Sequence, residues 1–255
     1  MPVDFKHVKK QFEKSMADYD NNAVVQELMA SKMMGELCKI SPEYENILEI
    51  GTGTGLLTKY IVRNLKYKHY YGNDIVEKSK EYVKKVIPQA DFIYGNAMKI
   101  KRDRKFDLII SNAVFQWFEN FEKLLNILSC MMMPDGIIAF STFSPENFQE
   151  ISNVSGLSLN YKSKEELVCI LSKLGFEVLY ADGFCKELKF NNPLEMLVHL
   201  KKTGVNSLSD KIWSLKHIKG FCEKYNEKYP QTVLTYSPIV IIARLNANPV
   251  KVSDN

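Results

Sequence analysis

The sequence predicts a doubly wound α/β fold: a mostly parallel sheet of about seven strands, with an amino-terminal helical cap and a helical insertion before the last strand. Three observations predict it. The segment Asn46 to Leu57, NILEIGTGTGLL, passes from a short apolar run through three alternating glycines (Gly51, Gly53, Gly55) into a helical pattern, which reads as strand, tight turn and helix. Downstream, short runs of continuous apolar character alternate with helical stretches of about a dozen residues, the pattern of a parallel sheet covered on both faces. Helical spacing also fills the chain before the first strand and the stretch before the last. The expected divisions are a helical cap over residues 1–40, an α/β core over 41–190, a helical lid over 191–230, and a final core strand with its tail over 231–255.

Each element follows from its residues. Phe5, Val8, Phe12 and Met16, then Val24, Val25, Leu28, Met29 and Leu37, recur at helical spacing around the polar MADYDNN, which predicts two helices and a break. Tyr19 in that break reads as a turn aromatic over the core. KHYYGNDI is a strand ending at Asp74, VEKSKEYVKKVIP a helix stopped by Pro88, and ADFIYGNA a third strand ending at Asn96 and Ala97. FDLIISNA gives a fourth strand, and NFEKLLNILSCMMM a helix ended by Pro134-Asp135-Gly136 with its methionines as core filler. GIIAFSTF is the fifth strand. SPENFQEISNVSGLSLNYKS has few apolar anchors and is expected to be a loop over the sheet's carboxyl edge. KEELVCILSKLGF restores a helix, and EVLYADGFCKELKF a strand. A helical excursion from NPLEMLVHLKKTGVNS to IKGFCEKYNEKYP precedes the last strand, TYSPIVIIARL.

Bulk composition excludes several classes. At 255 residues and 45% hydrophobic, the chain can bury one sizeable core. Its five cysteines form no C-x-x-C pair, which argues against a disulfide framework or a zinc site. No run is long enough to span a bilayer and MPVDFKHVKKQFEKS lacks a signal-type apolar stretch, so a cytoplasmic location without a membrane is expected. A net charge of +4 is too diffuse for nucleic acid. It is nevertheless uneven: residues 186–229 hold nine lysines against five acidic residues, a surplus equal to that of the whole chain.

Ligands of open α/β sheets bind beyond the carboxyl ends of the strands, where strand order reverses. Glu49, Asp74, Asn96 and Asn112 are the polar strand ends expected there. A dinucleotide loop requires G-x-G-x-x-G, whereas here the third glycine comes one residue early, and Glu49 would repel a pyrophosphate. A cationic or zwitterionic ligand suits the turn better. Asp74, nineteen residues beyond Gly55, is spaced to accept both hydroxyls of a ribose, with Asn96 and Ala97 bordering a base.

At these residues the chain resembles the class I S-adenosylmethionine-dependent methyltransferases, whose loop E/D-x-G-x-G-x-G is matched by Glu49-Ile50-Gly51-Thr52-Gly53-Thr54-Gly55. The resemblance implies a Rossmann-like sheet and S-adenosylmethionine as co-substrate, with no metal. It assigns the cofactor to Glu49, Gly51, Thr52, Gly53, Gly55, Asp74, Ile75, Asn96, Ala97 and Asn112, together with Gln26. Asn96 stands where the family more often has Asp; its side-chain carbonyl is expected to accept from the adenine amino group. Over almost the whole chain, Phe12, Tyr19, Ala23 and Gln26, Ser111-Asn112-Ala113 with Gln116-Trp117, Phe140-Ser141-Thr142-Phe143, HLKKTGVNS, and Tyr229-Pro230 with Leu234-Thr235-Tyr236 look like malonyl-acyl-carrier-protein O-methyltransferases of biotin synthesis. The S-N-A-x-x-Q-W segment also resembles trans-aconitate methyltransferases, the runner-up; a non-catalytic nucleotide-binding module is the third reading. The leading resemblance implies an acyl carrier protein bearing malonyl-phosphopantetheine as partner. It also implies methyl transfer to an already ionised carboxylate, so no catalytic acid or base is expected. Tyr19, Trp117, Lys201 and Lys202 are the candidates for the substrate pocket and its entrance.

Overall fold

The computed structural model describes residues 5–204 and 213–247. Val205 to Ser207 of HLKKTGVNS, the Asp210 and Lys211 charges counted above, and both outer ends of the cap and tail divisions lie outside the described residues. Seven strands form the main sheet: β1 (Glu43–Ile50), β2 (Lys66–Asp74), β3 (Asp91–Tyr94), β4 (Phe106–Asn112), β5 (Met132–Phe143), β6 (Phe176–Gly183) and β9 (Pro238–Leu245). Their order is β3-β2-β1-β4-β5-β9-β6, and β9 alone of these seven is antiparallel to its neighbours. The chain winds outward from β1 in both directions, so the order reverses at the carboxyl ends of β1 and β4. This is the crevice where the glycine turn lies.

Period-two alternation distributes the strand residues between two cores. Leu48, Ile50, Ile109 and Phe140 face α5 (Phe121–Ser129) and α7 (Lys164–Lys173), which contribute Leu124, Leu128, Leu167 and Leu171. Ile47, Leu108, Ile110 and Ile137 face α2 (Val24–Ile40), α3 (Leu56–Asn64) and α4 (Ser79–Val86), through Met33, Leu37, Ile61 and Val83. Both clusters are almost wholly buried, as continuous apolar strands require.

Four local expectations are corrected. The helix α1 (Phe5–Asn22) runs through MADYDNN and breaks only at Ala23, so Tyr19 stands on a helix rather than in a turn. Tertiary contacts stabilise these polar residues: Asp20 pairs with Lys59 at 2.7 Å and accepts a hydrogen bond from the Thr54 hydroxyl. The methionine run does not end a helix. Ser129 closes α5, Met132 pairs with Phe106 to open β5, and Pro134-Asp135-Gly136 lies within that strand where its register against β4 shifts, with Asp135 at φ +60°. The presumed loop contains α6 (Gln149–Ser155), whose buried Glu150 accepts from the Thr235 N–H at 2.9 Å. Finally, the chain expected as one strand over 177–190 and one over 235–245 forms two pairs. Besides β6 and β9 there are β7 (Lys186–Phe190) and β8 (Thr232–Tyr236), joined antiparallel in a separate ribbon.

That ribbon brackets α8 (Pro193–Lys202) and α9 (Leu215–Lys228). Because β6 runs parallel to β5 and ends at the carboxyl edge, while β9 starts from that same edge in the opposite direction, the insertion between them is anchored over the crevice. A third buried cluster fixes it there: Met196, Leu200, Phe221, Tyr225 and Tyr236 pack with Val25, Met29, Phe143 and Phe148.

Candidate active site

The glycine turn is held from below by the second strand. Gly51 N–H and Thr52 N–H both donate to the Asn73 carbonyl, at 2.7 and 3.1 Å. Gly51 has φ +72°, and a Cβ there would lie 2.3 Å from Val114 Cγ2, so this glycine is required by close approach of the chain after β4. Gly53 differs. It has φ +51°, but nothing lies within 4 Å of where its Cβ would be, so the space beside it is cavity. Its N–H donates to Asp74 Oδ2 at 2.7 Å.

Asp74 is 7% exposed, and its other oxygen accepts from Val76 N–H at 2.7 Å. Burial raises its carboxyl above the ordinary value; the Val76 and Gly53 N–H groups oppose the rise. Each oxygen retains lone-pair capacity for a further donor. Glu49, 1% exposed, sits beneath the turn and is not among the residues lining the cleft that opens on it. Its Oε2 accepts from the Tyr70 and Thr58 hydroxyls at 2.6 and 2.9 Å, and Oε1 has no partner. Burial pushes this carboxyl up to about 7 against the pull of those two hydroxyls. Two buried polar atoms near the turn lack partners, Glu49 Oε1 beneath it and the Thr52 hydroxyl on the cavity wall. The Thr52 hydroxyl, with the open face of Gly53, fits a polar ligand.

A cleft opens on this turn. Gly51, Thr52, Gly53, Asp74, Ile75, Ala97 and Asn112 form its floor, and Phe5, Val8, Phe12, Met16 and Tyr19 of α1 form an apolar roof. A second cavity abuts it through shared walls at Phe12, Tyr19, Ala113 and Trp117, and extends to Gln26, Gln116, Phe148, Tyr161 and Thr203. Neither is lined by Lys, Arg or His among the described residues. Burial raises the Tyr19 and Tyr161 phenols well above their ordinary value, which keeps both neutral. His199 stands behind the lining, bonded to the Tyr236 hydroxyl at 2.8 Å; burial pushes its imidazole down to about 4.

The expected site residues therefore separate. Gly51, Thr52, Gly53, Asp74, Ile75, Ala97, Asn112, Tyr19 and Trp117 converge on the first cleft. Glu49 and Gly55 support the turn from outside it, Gly55 as the αL cap of α3. Asn96 also lies outside: its side-chain carbonyl, expected to take an adenine amino group, instead accepts from Met98 N–H at 2.9 Å and caps a short 3-10 turn. Gln26 lines the second cavity and not the first. Lys201 and Lys202 are exposed at the end of α8 and line neither, although the adjacent Thr203 reaches the second. The roof residues Phe5, Val8 and Met16 were legible only as a helical stripe, Gln116 only as part of the S-N-A-x-x-Q-W segment, and Phe148 and Tyr161 carried no separate signal.

Fold and site together define a class I methyltransferase, and a methyltransferase-domain family model matches residues 23–181. The neighbours in structure carry the fold alone. The N-methyltransferase NodS from Bradyrhizobium japonicum, solved with S-adenosyl-L-homocysteine, aligns at TM-score 0.56 and 11% identity over 94% of this chain and 98% of its own. The [4+2]-cyclase SpnF aligns at 0.53 and 14%, over 88% and 80%, so this fold also serves other chemistry. Sequence is more specific. The chain belongs to the malonyl-[acyl-carrier protein] O-methyltransferase family. It is 34% identical over 245 residues to the enzyme of that name from Calditerrivibrio nitroreducens, covering 93% of this chain and 96% of the relative. To the Bacteroides thetaiotaomicron enzyme it is 33% identical over 253 residues, covering 93% and 97%.

Proposed function

We propose that this chain transfers a methyl group from S-adenosylmethionine to the free carboxylate of a malonyl group carried as a thioester on acyl carrier protein, an early step of biotin synthesis. The observation that carries the reading, within this family, is a pair of abutting cavities with no cationic or imidazole side chain on their walls among the described residues. S-adenosylmethionine supplies an electrophilic methyl on a sulfonium: the carbon–sulfur bond breaks with its electron pair left on sulfur, a carboxylate oxygen bonds to the carbon, and no proton moves.

Asp74 and the Gly51–Thr54 turn would hold the ribose and amino-acid portions, with Ile75 and Ala97 against the base and Asn112 beside the turn. A carboxylate with a pKa near 4 is ionised at neutral pH, so the chain has no proton to remove. Its task is alignment and exclusion of water, because the reaction consumes an anion and a cation that water stabilises. The aromatic roof of α1 supplies that exclusion, and correct placement contributes up to about 7 to 11 kcal/mol. Trans-aconitate chemistry fits these walls less well, since further carboxylates would be buried without a counter-charge.

The carrier protein, which is acidic, would approach the lysines of α8 and α9 beside the second cavity. Parallel assays of labelled methyl transfer to malonyl-carrier protein, malonyl-coenzyme A and trans-aconitate test the reading. The carrier-bound substrate is expected to give the highest kcat/KM; preferential labelling of trans-aconitate would replace the reading with the runner-up.

A further inference from the structure

The second cavity holds two buried polar side chains with unpartnered atoms. Trp117 is 5% exposed and its indole Nε1 has no hydrogen bond. Gln26 is 4% exposed and its Oε1 has none. A folded protein leaves few such groups, and two on the wall of one cavity indicate that a ligand completes them. Both are rigidly placed. Asn112 Nδ2 donates to the Gln26 carbonyl at 3.0 Å, while Asn112 Oδ1 accepts from the Ser141 hydroxyl at 2.5 Å, so the end of β4 ties α2 to the sheet. Trp117 closes the turn Phe115–Trp117 through its N–H to the Val114 carbonyl at 3.0 Å, and its ring meets Phe12 edge-on at 5.7 Å.

The chemistry of these groups narrows the ligand. An indole N–H only donates, so its partner is an acceptor. Gln26 can present its amide N–H to the same acceptor by exchanging its amide nitrogen and oxygen, which are nearly isosteric. Cations are absent from the walls of both cavities among the described residues. A guanidinium or ammonium would bind a carboxylate more tightly but would draw on the lone pair that attacks the methyl, whereas neutral donors orient the anion at lower cost to its nucleophilicity.

Resting on the reaction proposed above, we propose that Trp117 Nε1–H and the Gln26 side-chain amide are the donors that hold the substrate carboxylate beside the transferred methyl. Gln26 is thereby a substrate-binding residue and not a cofactor-binding one. Tyr19, which lines both cavities and stays protonated, adds a neutral wall at their junction.

The test uses Trp117→Phe, which keeps the ring against Phe12, and Gln26→Leu, made separately in the full chain. Affinity for S-adenosylhomocysteine serves as the check that each variant keeps its fold and cofactor cleft. With that product bound, affinities for malonyl-N-acetylcysteamine and for its methyl ester are measured, alongside kcat/KM with the malonyl thioester. A hydrogen bond to a charged group corresponds to about a tenfold to hundredfold change. Each variant is expected to lose that much in kcat/KM and in affinity for the anion, and less than about threefold for the neutral ester. Equal losses for anion and ester, or full activity in both variants, would overturn the assignment. Should one variant fail to bind S-adenosylhomocysteine, the other decides alone. A wild-type chain that methylates no malonyl thioester would instead refute the reaction and not the donors, which the binding ratio still reports.

Discussion

Replacing Glu49 by Gln isolates the electrostatics under the glycine turn. The wild-type carboxyl is 1% exposed and pushed by burial from 4.5 to about 7, so between those values the folded chain holds a proton that the unfolded chain has released. Stability falls with rising pH wherever the native state binds more protons, by about 1.4 kcal/mol per pH unit for one full proton. Integrated over this window, Glu49 withdraws about 2 to 3 kcal/mol between pH 4.5 and pH 7.5. Gln keeps an acceptor for Tyr70 and Thr58 and places an amide where Oε1 stands unpaired, but it carries no such slope. Relative to wild type, Glu49→Gln should therefore gain about 2 to 3 kcal/mol as pH rises through that window. His199 contributes the opposite sign: its imidazole is depressed to about 4, so its contribution is lost as pH falls below 6.5. It is common to both proteins and cancels in the difference. Urea denaturation of both at pH 5, 6, 7 and 8 supplies the values. A difference independent of pH would show that Glu49 titrates normally in the folded chain and would refute the account of an uncompensated buried carboxyl.

Three further outcomes follow from the same geometry. Asp74→Ala removes the acceptor of Gly53 and Val76 N–H groups and should weaken S-adenosylhomocysteine binding by about 2 to 4 kcal/mol, at least about 30-fold, in calorimetric titration; unchanged affinity in a folded variant would place the ribose elsewhere. Gly51→Ala should destabilise the fold by about 2 to 5 kcal/mol, from left-handed backbone strain plus collision with Val114, whereas Gly53→Ala, open to the cavity, should cost only about 1 to 2 yet depress cofactor affinity, as melting and titration of both will show. Reversing Lys201 and Lys202 to Glu should slow turnover of malonyl-carrier protein far more than that of a small malonyl thioester, with the gap shrinking as salt screens beyond about 8 to 10 Å; equal losses insensitive to salt would move carrier docking to another surface.

Much of this was readable before any coordinates, for identifiable reasons. The sheet is announced by apolar runs that must be buried on both faces, and the turn by glycines whose spacing departs from a dinucleotide loop. Legibility ends where tertiary partners decide. MADYDNN looks like a break until Lys59 and Thr54 engage Asp20. The segment around Glu150 looks like a loop because its helix is short, with only Ile151 and Val154 as apolar anchors, and is also held by a carboxylate on Thr235, eighty-five residues away. Ser237 separates β8 from β9 because its neighbours pair with different sheets, which an unbroken hydrophobic run cannot reveal. Asn96 was expected at the end of a strand that closes at Tyr94, and its capping of the turn at Ala97–Lys99 was not legible. Gln26 matched the resemblance by position, while the cavity it lines depends on where α2 meets β4.

The central claim is that an already ionised carboxylate is methylated without a general base, within cavities whose walls carry no lysine, arginine or histidine among the described residues. The pH dependence of kcat with malonyl-carrier protein, at saturating S-adenosylmethionine, tests it most directly. The account predicts a flat profile from about pH 6 to pH 9, because a carboxylate with a pKa near 4 has already lost its proton. A rate rising tenfold per pH unit across that range would reveal a general base and contradict the account.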